Sequence, residues 1–451
     1  MLGQIIAIAR NTFLESVRQP IFFVLVIAGW ILQIFNTLLS SYSMGYTDTA
    51  EVSGDDKLLL DIGLATVFVL ATLLAAFIAT AVLSREIENK TALTVISKPV
   101  GRPRFVFGKY LGVVGAVLVA TTIMLVFFHF AMRHGVMTTA RDRPDGPVIL
   151  FSLLIIGLSV GIGIWGNFFY GWVFSSTSIF VMLPASLIGW LAILILDKEW
   201  QLQPLSADFK PQIMIASACV LLAMTVLCAV AVTASTRLGQ VMTIVVCAGA
   251  FMMGLLSNHI VGRHAFQNSP IGVVASAEVE RDLDGDFLDG ADTWRIRLLQ
   301  DPVVNLAPGR SIYYGPTPNG IGLRVPAHEP FEGDPTDLGA ARDPEGPKAL
   351  IIHSIDIEAN ELVLLNVGGI QVSRPPREGD SLFLRPTRIN PAAWAAWGVV
   401  PNLQFFWLVD AVTQNHPIPP RYLGLVGIYT LVHITGLLAL AVILFQKREV
   451  G

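Results

Sequence analysis

Four stretches of this sequence, Ile21–Ser41, Thr66–Leu83, Val148–Leu196 and Ile213–Ser235, contain no charged residue. An apolar run of about 20 residues matches the roughly 30 Å hydrocarbon thickness of a bilayer. A soluble core would interrupt such runs with polar faces at helical spacing. Charged residues make up only 14% of the chain, against about 25% in soluble globular proteins. The expected fold class is therefore a membrane all-α helical bundle of about eight transmembrane helices, with an inserted extracytoplasmic β-rich domain before the last helix.

The expected spans are 21–40, 63–84, 108–132, 148–169, 177–197, 212–234, 240–258 and 422–445. The first is too long for a signal-peptide core and follows twenty polar and amphipathic residues, so it reads as a retained span. Pro184 interrupts the fifth, which a membrane helix tolerates when neighbours re-satisfy the freed carbonyl. Because the link Phe169–Ser176 is short and uncharged, a re-entrant pair over 148–197 competes with two full spans. Lysine and arginine favour the cytoplasmic side. With the N-terminus inside, cytoplasmic segments hold eleven of them against six in the short outer loops, and six of the eleven lie in loop 85–109. Both termini are then cytoplasmic, and the expected location is the inner membrane of a bacterium.

Five regions follow. Residues 1–20 place Leu2, Ile5, Ile6, Ala9, Phe13 and Val17 on one helical face, an interfacial amphipathic helix. Residues 21–258 form the transmembrane domain. Residues 259–392 alternate polar and apolar positions, as in Trp294–Leu298, and are rich in Ile, Val and Leu over Leu350–Ile357 and Glu361–Val367, with Pro and Gly between. That is the pattern of short strands joined by turns, with Ala327–Lys348 expected as a flexible acidic loop. Residues 393–420, dense in Trp and Phe, suit short helices at the membrane surface, Pro401 starting one of them. Residues 421–451 supply the last span and a cytoplasmic tail.

Several chemistries are disfavoured. A net charge of −4 argues against nucleic acid. Cys219, Cys228 and Cys247 all lie in apolar runs, with no disulfide or metal spacing. Gly161–Gly166 fits GxGxxG but sits within a span, where its glycines, with Gly157, suit close helix packing. Gly101–Tyr110 has the wrong spacing for a P-loop, so no ATP site is expected in this chain. Asp282–Asp289 lacks the glycine and glutamate positions of a calcium loop and reads as a solvated turn. No acid or base lies near a span centre, which weakens a proton-coupled mechanism. His129 and His433 read as residues hydrogen-bonded within the bundle. No catalytic, metal or cofactor-binding residue is assigned.

The segment Arg85–Lys109 carries the most information. It opens as an acidic amphipathic helix with Ile87, Leu93 and Ile96 as apolar contacts; Pro99 ends that helix, and basic residues lead into the third span. Such a helix between two spans can dock on a partner protein, or it can be an ordinary basic loop on the cytoplasmic side. The residues alone leave both readings open.

The pattern Glu86, Glu88, Thr91, Lys98-Pro99, Arg102 and Gly108-Lys109 resembles the segment between the second and third spans of ABC-2-type transporter permeases. Arg18-Gln19-Pro20 and the preceding helix resemble the elbow helix of that family, and Val400–Phe405 through Tyr429 to Glu449 resembles its last outer helix and final span. The resemblance implies a permease subunit, as a homodimer or heterodimer of permeases in the lipid bilayer, docked by a separate ABC ATPase subunit that holds the ATP. Its ATPase-coupling interface would comprise Glu86, Glu88, Thr91, Lys98, Pro99, Arg102, Arg104 and Lys109. Export fits the family better than import. Eight spans and the outer domain depart from the usual six spans and modest loops, so no substrate carries over. A membrane-anchored binding or scaffold protein and a secondary transporter are the alternatives.

Overall fold

The computed structural model describes residues 2–40, 54–84, 101–137, 143–279, 292–302, 304, 306–315, 328–334, 337, 341–343, 345–356, 359–370, 375–386, 388–409, 412 and 418–446. The chain forms two compact units, one of Met1–Leu255 with Leu403–Gly451 and one of Leu256–Asn402.

In the first unit, α1 (Leu2–Val17) precedes α2 (Pro20–Ser40), α3 (Gly54–Ala79), α4 (Arg102–His134), α5 (Gly146–Tyr170), α6 (Phe174–Ile195), α7 (Pro211–Ser235) and α8 (Gln240–Ser257). The expected eight spans are present among the described residues, the eighth being Pro420–Gln446. Helices α3, α4 and α7 are mostly enclosed, whereas α2, α5, α8 and the last helix leave most of their surface outside the core. An apolar helix exposed on one side is stable only where hydrocarbon meets it, so this is a multi-pass membrane protein.

Helices α5 and α6 exclude a re-entrant pair. At 1.5 Å per residue their 25 and 22 residues reach about 37 and 33 Å, enough for a full crossing each. The turn between them is set by Gly171 in the left-handed region, whose N–H returns to the Asn167 carbonyl, while Asn167 Nδ2 donates to the Trp172 carbonyl at 2.7 Å. Helix α6 runs on through Pro184. Helix α4 begins six residues before the expected span, because helical hydrogen bonding continues past the limit of the apolar run.

The second unit is built on a six-stranded antiparallel sheet: β2 (Pro270–Val279), β3 (Thr293–Leu298), β4 (Tyr313–Gly315), β5 (Ala349–Asp356), β6 (Glu361–Val367) and β7 (Ser381–Phe383), in the order β4-β7-β2-β3-β6-β5. A two-stranded pairing of β1 (Phe266–Gln267) with β8 (Arg388–Ile389) lies beside it in the chain order. Strand β3 alternates as its sequence requires: Trp294, Ile296 and Leu298 are buried, while Arg295 and Arg297 face out toward Glu361 at 3.8 and 3.7 Å.

The sheet closes on itself. Gly309 N–H donates to the Ile352 carbonyl, Ile352 N–H to Arg310 and Ile312 N–H to Leu350, so the segment just before β4 covers the free edge of β5. Four residues later the same segment pairs with β7 at the other edge. A closed barrel removes the exposed edges that invite aggregation, and its interior packs Trp294, Ile296, Tyr314, Leu350, Ile352 and Leu364.

Two expectations need correction. The segment expected as a flexible acidic loop folds back on the barrel: Phe331 and Ala341 form a second apolar cluster with Ile351, Leu365 and Val367, and His328 stacks on Tyr313 at 4.4 Å. Its apolar residues are too sparse to show in a compositional reading. In the aromatic segment, Pro391 rather than Pro401 opens the α-helix α9 (Pro391–Val399), because Asn390 Oδ1 accepts from Ala392 and Ala393 N–H. Beyond it, Leu403 and Phe406 are fully buried and Trp407 stacks on Phe68 at 6.2 Å, so this stretch is core of the helical unit.

Candidate functional site

Of the residues expected at the coupling interface, Glu86, Glu88, Thr91, Lys98 and Pro99 lie outside the described residues. Arg102, Arg104 and Lys109 lie in the first turns of α4, and each is tied to a different element. Helix α10 (Pro420–Gln446), the last, ends where Arg102 Nη1 donates to the Gln446 carbonyl at 2.8 Å. Arg104 Nη1 donates to Gln4 Oε1 of α1 at 3.3 Å. Lys109, 3% exposed, donates to the Val82 carbonyl at 3.5 Å in the π-turn Thr80–Ser84 that ends α3, and its ammonium lies 5.6 Å from the Phe105 ring centroid. A lysine this deep needs such partners, since an uncompensated buried charge is costly.

The same end of the bundle shows how α10 is terminated. The last four carbonyls of a helix have no partner within it, and cations are favoured there. Arg102 takes the Gln446 carbonyl and Arg237, after α7, takes that of Leu444 at 2.8 Å. Phe105 stacks on Phe445 at 5.7 Å, and Tyr110 donates to the Thr225 carbonyl of α7. The first three turns of α4 are thereby joined to α1, α3, α7 and α10.

Helix α1, expected at the membrane surface, lies along α4. The fit depends on Gly108 and Gly112, one turn apart on the face that meets α1, a small-xxx-small contact of the kind that lets membrane helices approach closely. A Cβ on Gly112 would stand 2.5 Å from Thr12 Cβ and 2.6 Å from the Ala9 carbonyl oxygen; one on Gly108 would stand 2.8 Å from Ile8. Because backbone blocks the way at Gly112, Gly112→Val is expected to force α1 off α4 at a cost of at least about 1–3 kcal/mol. Limited proteolysis near Arg10 checks it: the variant should be cut there far faster than the native protein.

At the opposite end of the bundle, Arg133 closes α4. Its Nε lies 3.0 Å from Asp208 Oδ2 and 3.5 Å from Asp145 Oδ2, Nη2 donates to the Leu196 carbonyl at 2.7 Å, and Nη1 donates to that of Ile193. Asp145 is fully buried and caps α5 by accepting from Val148 N–H. One guanidinium thus joins the ends of α4, α5 and α6 with the approach to α7.

The structure brings Arg102, Arg104 and Lys109 to one end of the bundle and separates them by partner. Sequence reasoning missed Arg237, the Gly108-x-x-x-Gly112 face and the Arg133 cluster. The glycine spacing and the Asp145-Gly146-Pro147 helix start were legible signals for the last two; Arg237 had none. The packing role given to Gly157, Gly161, Gly163 and Gly166 holds for only two of them. Gly163 and Gly166 meet Ser178 and Trp172, whereas Gly157 and Gly161 have nothing within 4 Å among the described residues. His129 bonds across helices to Ser217 Oγ at 3.2 Å, and His433 Nδ1 lies 3.1 Å from its own helix's Tyr429 carbonyl. Among the described residues there is no cluster of His, Cys, Asp or Glu that could hold a metal, and the acidic run Asp282–Asp289 lies outside them.

Compared with known families, residues 6–165 match the ABC-2 family transporter protein. The matched region runs from α1 into α5 and includes the whole of segment 85–109. No curated protein and no solved structure matches the chain.

Proposed function

From an ABC-2 family transporter domain spanning residues 6–165, we propose that this chain is the permease subunit of an ATP-driven exporter. Its ATP is bound and hydrolysed on a separate ABC ATPase subunit, which docks on the segment at about Glu86–Lys98. The supporting observation is the anchoring of α4, whose first turns are fixed to α1, α3, α7 and α10 through Arg104, Lys109, Tyr110 and Arg102. A force on the segment entering α4 then reaches four helices together. In this reading Glu86, Glu88, Thr91, Lys98 and Pro99 meet the ATPase, while Arg102, Arg104 and Lys109 pass its motion to the bundle. Two permeases, identical or related, form the pathway.

The working orientation puts both termini and the Arg102 end in the cytoplasm of a bacterial inner membrane and the barrel outside. A cysteine replacing Asn319 is then expected to react with an impermeant thiol reagent in intact cells; protection until lysis reverses the topology. The functional reading is tested by purifying the chain in mild detergent from its native membranes. A Walker-motif ATPase should accompany it. Transport that proceeds without an ATPase and collapses with ionophore would instead identify a secondary transporter.

A further inference from the structure

A groove of about 360 Å³ runs between α2 and α5, floored by α4. Its floor residue Phe130 is buried, whereas Ile34 and Ile149 on its two lips are exposed on the outside of the bundle. Those lips face hydrocarbon in a membrane, so the groove is entered sideways from the bilayer. Trp30 Nε1 donates to Ser152 Oγ at 2.7 Å, bridging α2 to α5 within the groove.

The lining is mostly apolar, with Gln33, Thr37, His134 and Ser152 among its polar side chains. Gln33 is 2% exposed, and its Nε2 donates to the Gly63 carbonyl of α3 at 2.9 Å. Its Oε1 is buried without a hydrogen-bond partner. An unsatisfied buried acceptor costs about 1–3 kcal/mol, and in hydrocarbon no water supplies the missing donor. Gln33 stands seven residues before the end of α2, about 10 Å along the helix axis. That is well inside one leaflet of about 15 Å. The groove therefore combines a mostly apolar surface, open to hydrocarbon between Ile34 and Ile149, with one buried acceptor that lacks a donor.

We propose that this groove binds an uncharged lipophilic molecule taken up from the bilayer, carrying one hydroxyl or N–H donor. Its apolar body lies against Ile34, Phe130 and Ile149, and its donor bonds Gln33 Oε1. The site does not depend on how the chain is energised, so blocking it leaves ATPase association unchanged.

The test uses the full chain in phospholipid vesicles with two probes, a diazirine-bearing hexadecanol and its methyl ether, and maps the photo-adducts by mass spectrometry. The alcohol is expected to label the Phe127–Ala131 segment about five-fold more than the ether, as one net hydrogen bond of about 1 kcal/mol requires. Gln33→Leu should abolish that preference while keeping the labelling. Ile149→Trp, a substitution at an exposed lip, should remove labelling by both probes. Equal labelling by alcohol and ether would overturn the assignment, as would adducts confined to outward-facing residues or unaffected by Ile149→Trp.

Discussion

Arg133→Met is expected to destabilise the helical unit by roughly 3–5 kcal/mol, the cost of stranding a buried partner charge. The reason is Asp145, fully buried at the start of α5, with Arg133 as its charge partner at 3.5 Å. Methionine keeps most of the side-chain volume, so the loss reflects charge and hydrogen bonds more than packing. The carbonyls of Ile193 and Leu196 lose their donor as well. Adding Asp145→Asn and Asp208→Asn to Arg133→Met should recover a large part of the loss, because removing a whole buried ion cluster costs far less than removing one member. Denaturation of the purified protein in detergent measures both. An unchanged unfolding midpoint for Arg133→Met would mean that water reaches the cluster and that it does not hold the four helix ends together.

The second large effect concerns function and leaves folding intact. Joint replacement of Glu86 and Glu88 by lysine is expected to reduce ATPase copurification by about ten-fold or more, since like charges forced together across an interface cost several kcal/mol. The anchoring contacts of α4 use Arg102, Arg104, Lys109 and Tyr110, so stability of the permease itself should change by only about 0.5 kcal/mol. Full ATPase recovery with the double variant would remove these two residues from the interface. Replacing Arg102 by glutamine should act differently: the ATPase still binds, while α10 loses a donor at its terminus and coupling between ATP hydrolysis and transport weakens.

The spans were legible because a bilayer demands uncharged runs of a fixed length, and nothing in the tertiary fold overrides that demand. Strand β3 was legible because one of its faces is wet, which writes alternation into Trp294–Leu298; β5 and β6, buried on both faces over Ala349–Ile352 and Leu364–Val367, were legible from their runs of Ile, Val and Leu. Barrel closure was not, since it depends on residues 309–315 serving two edges in succession, a relation between distant segments that leaves no local period. The helix at α1 was legible as amphipathic, but not the side that meets α4: Ile8, Ala9 and Thr12 pack on Gly108 and Gly112, while Leu2 and Ile6 of the expected apolar face stay exposed. Arg102, Arg104 and Lys109 were singled out as expectations by the resemblance of their segment, and their separate partners on α10, α1 and the turn ending α3 emerge only in three dimensions. Arg133 falls at a span end, where a charge is ordinary, and its two carboxylate partners lie 12 and 75 residues further along the chain.

The most direct test of energy coupling places a photo-crosslinking amino acid at Leu93, midway along the segment proposed to dock. In native membranes the account predicts a crosslink from Leu93 to a separate subunit carrying a Walker-motif ATPase, with a yield that changes when ATP is replaced by ADP. A Leu93 probe that labels only lipid or the permease itself, in membranes that still carry out transport, would contradict it.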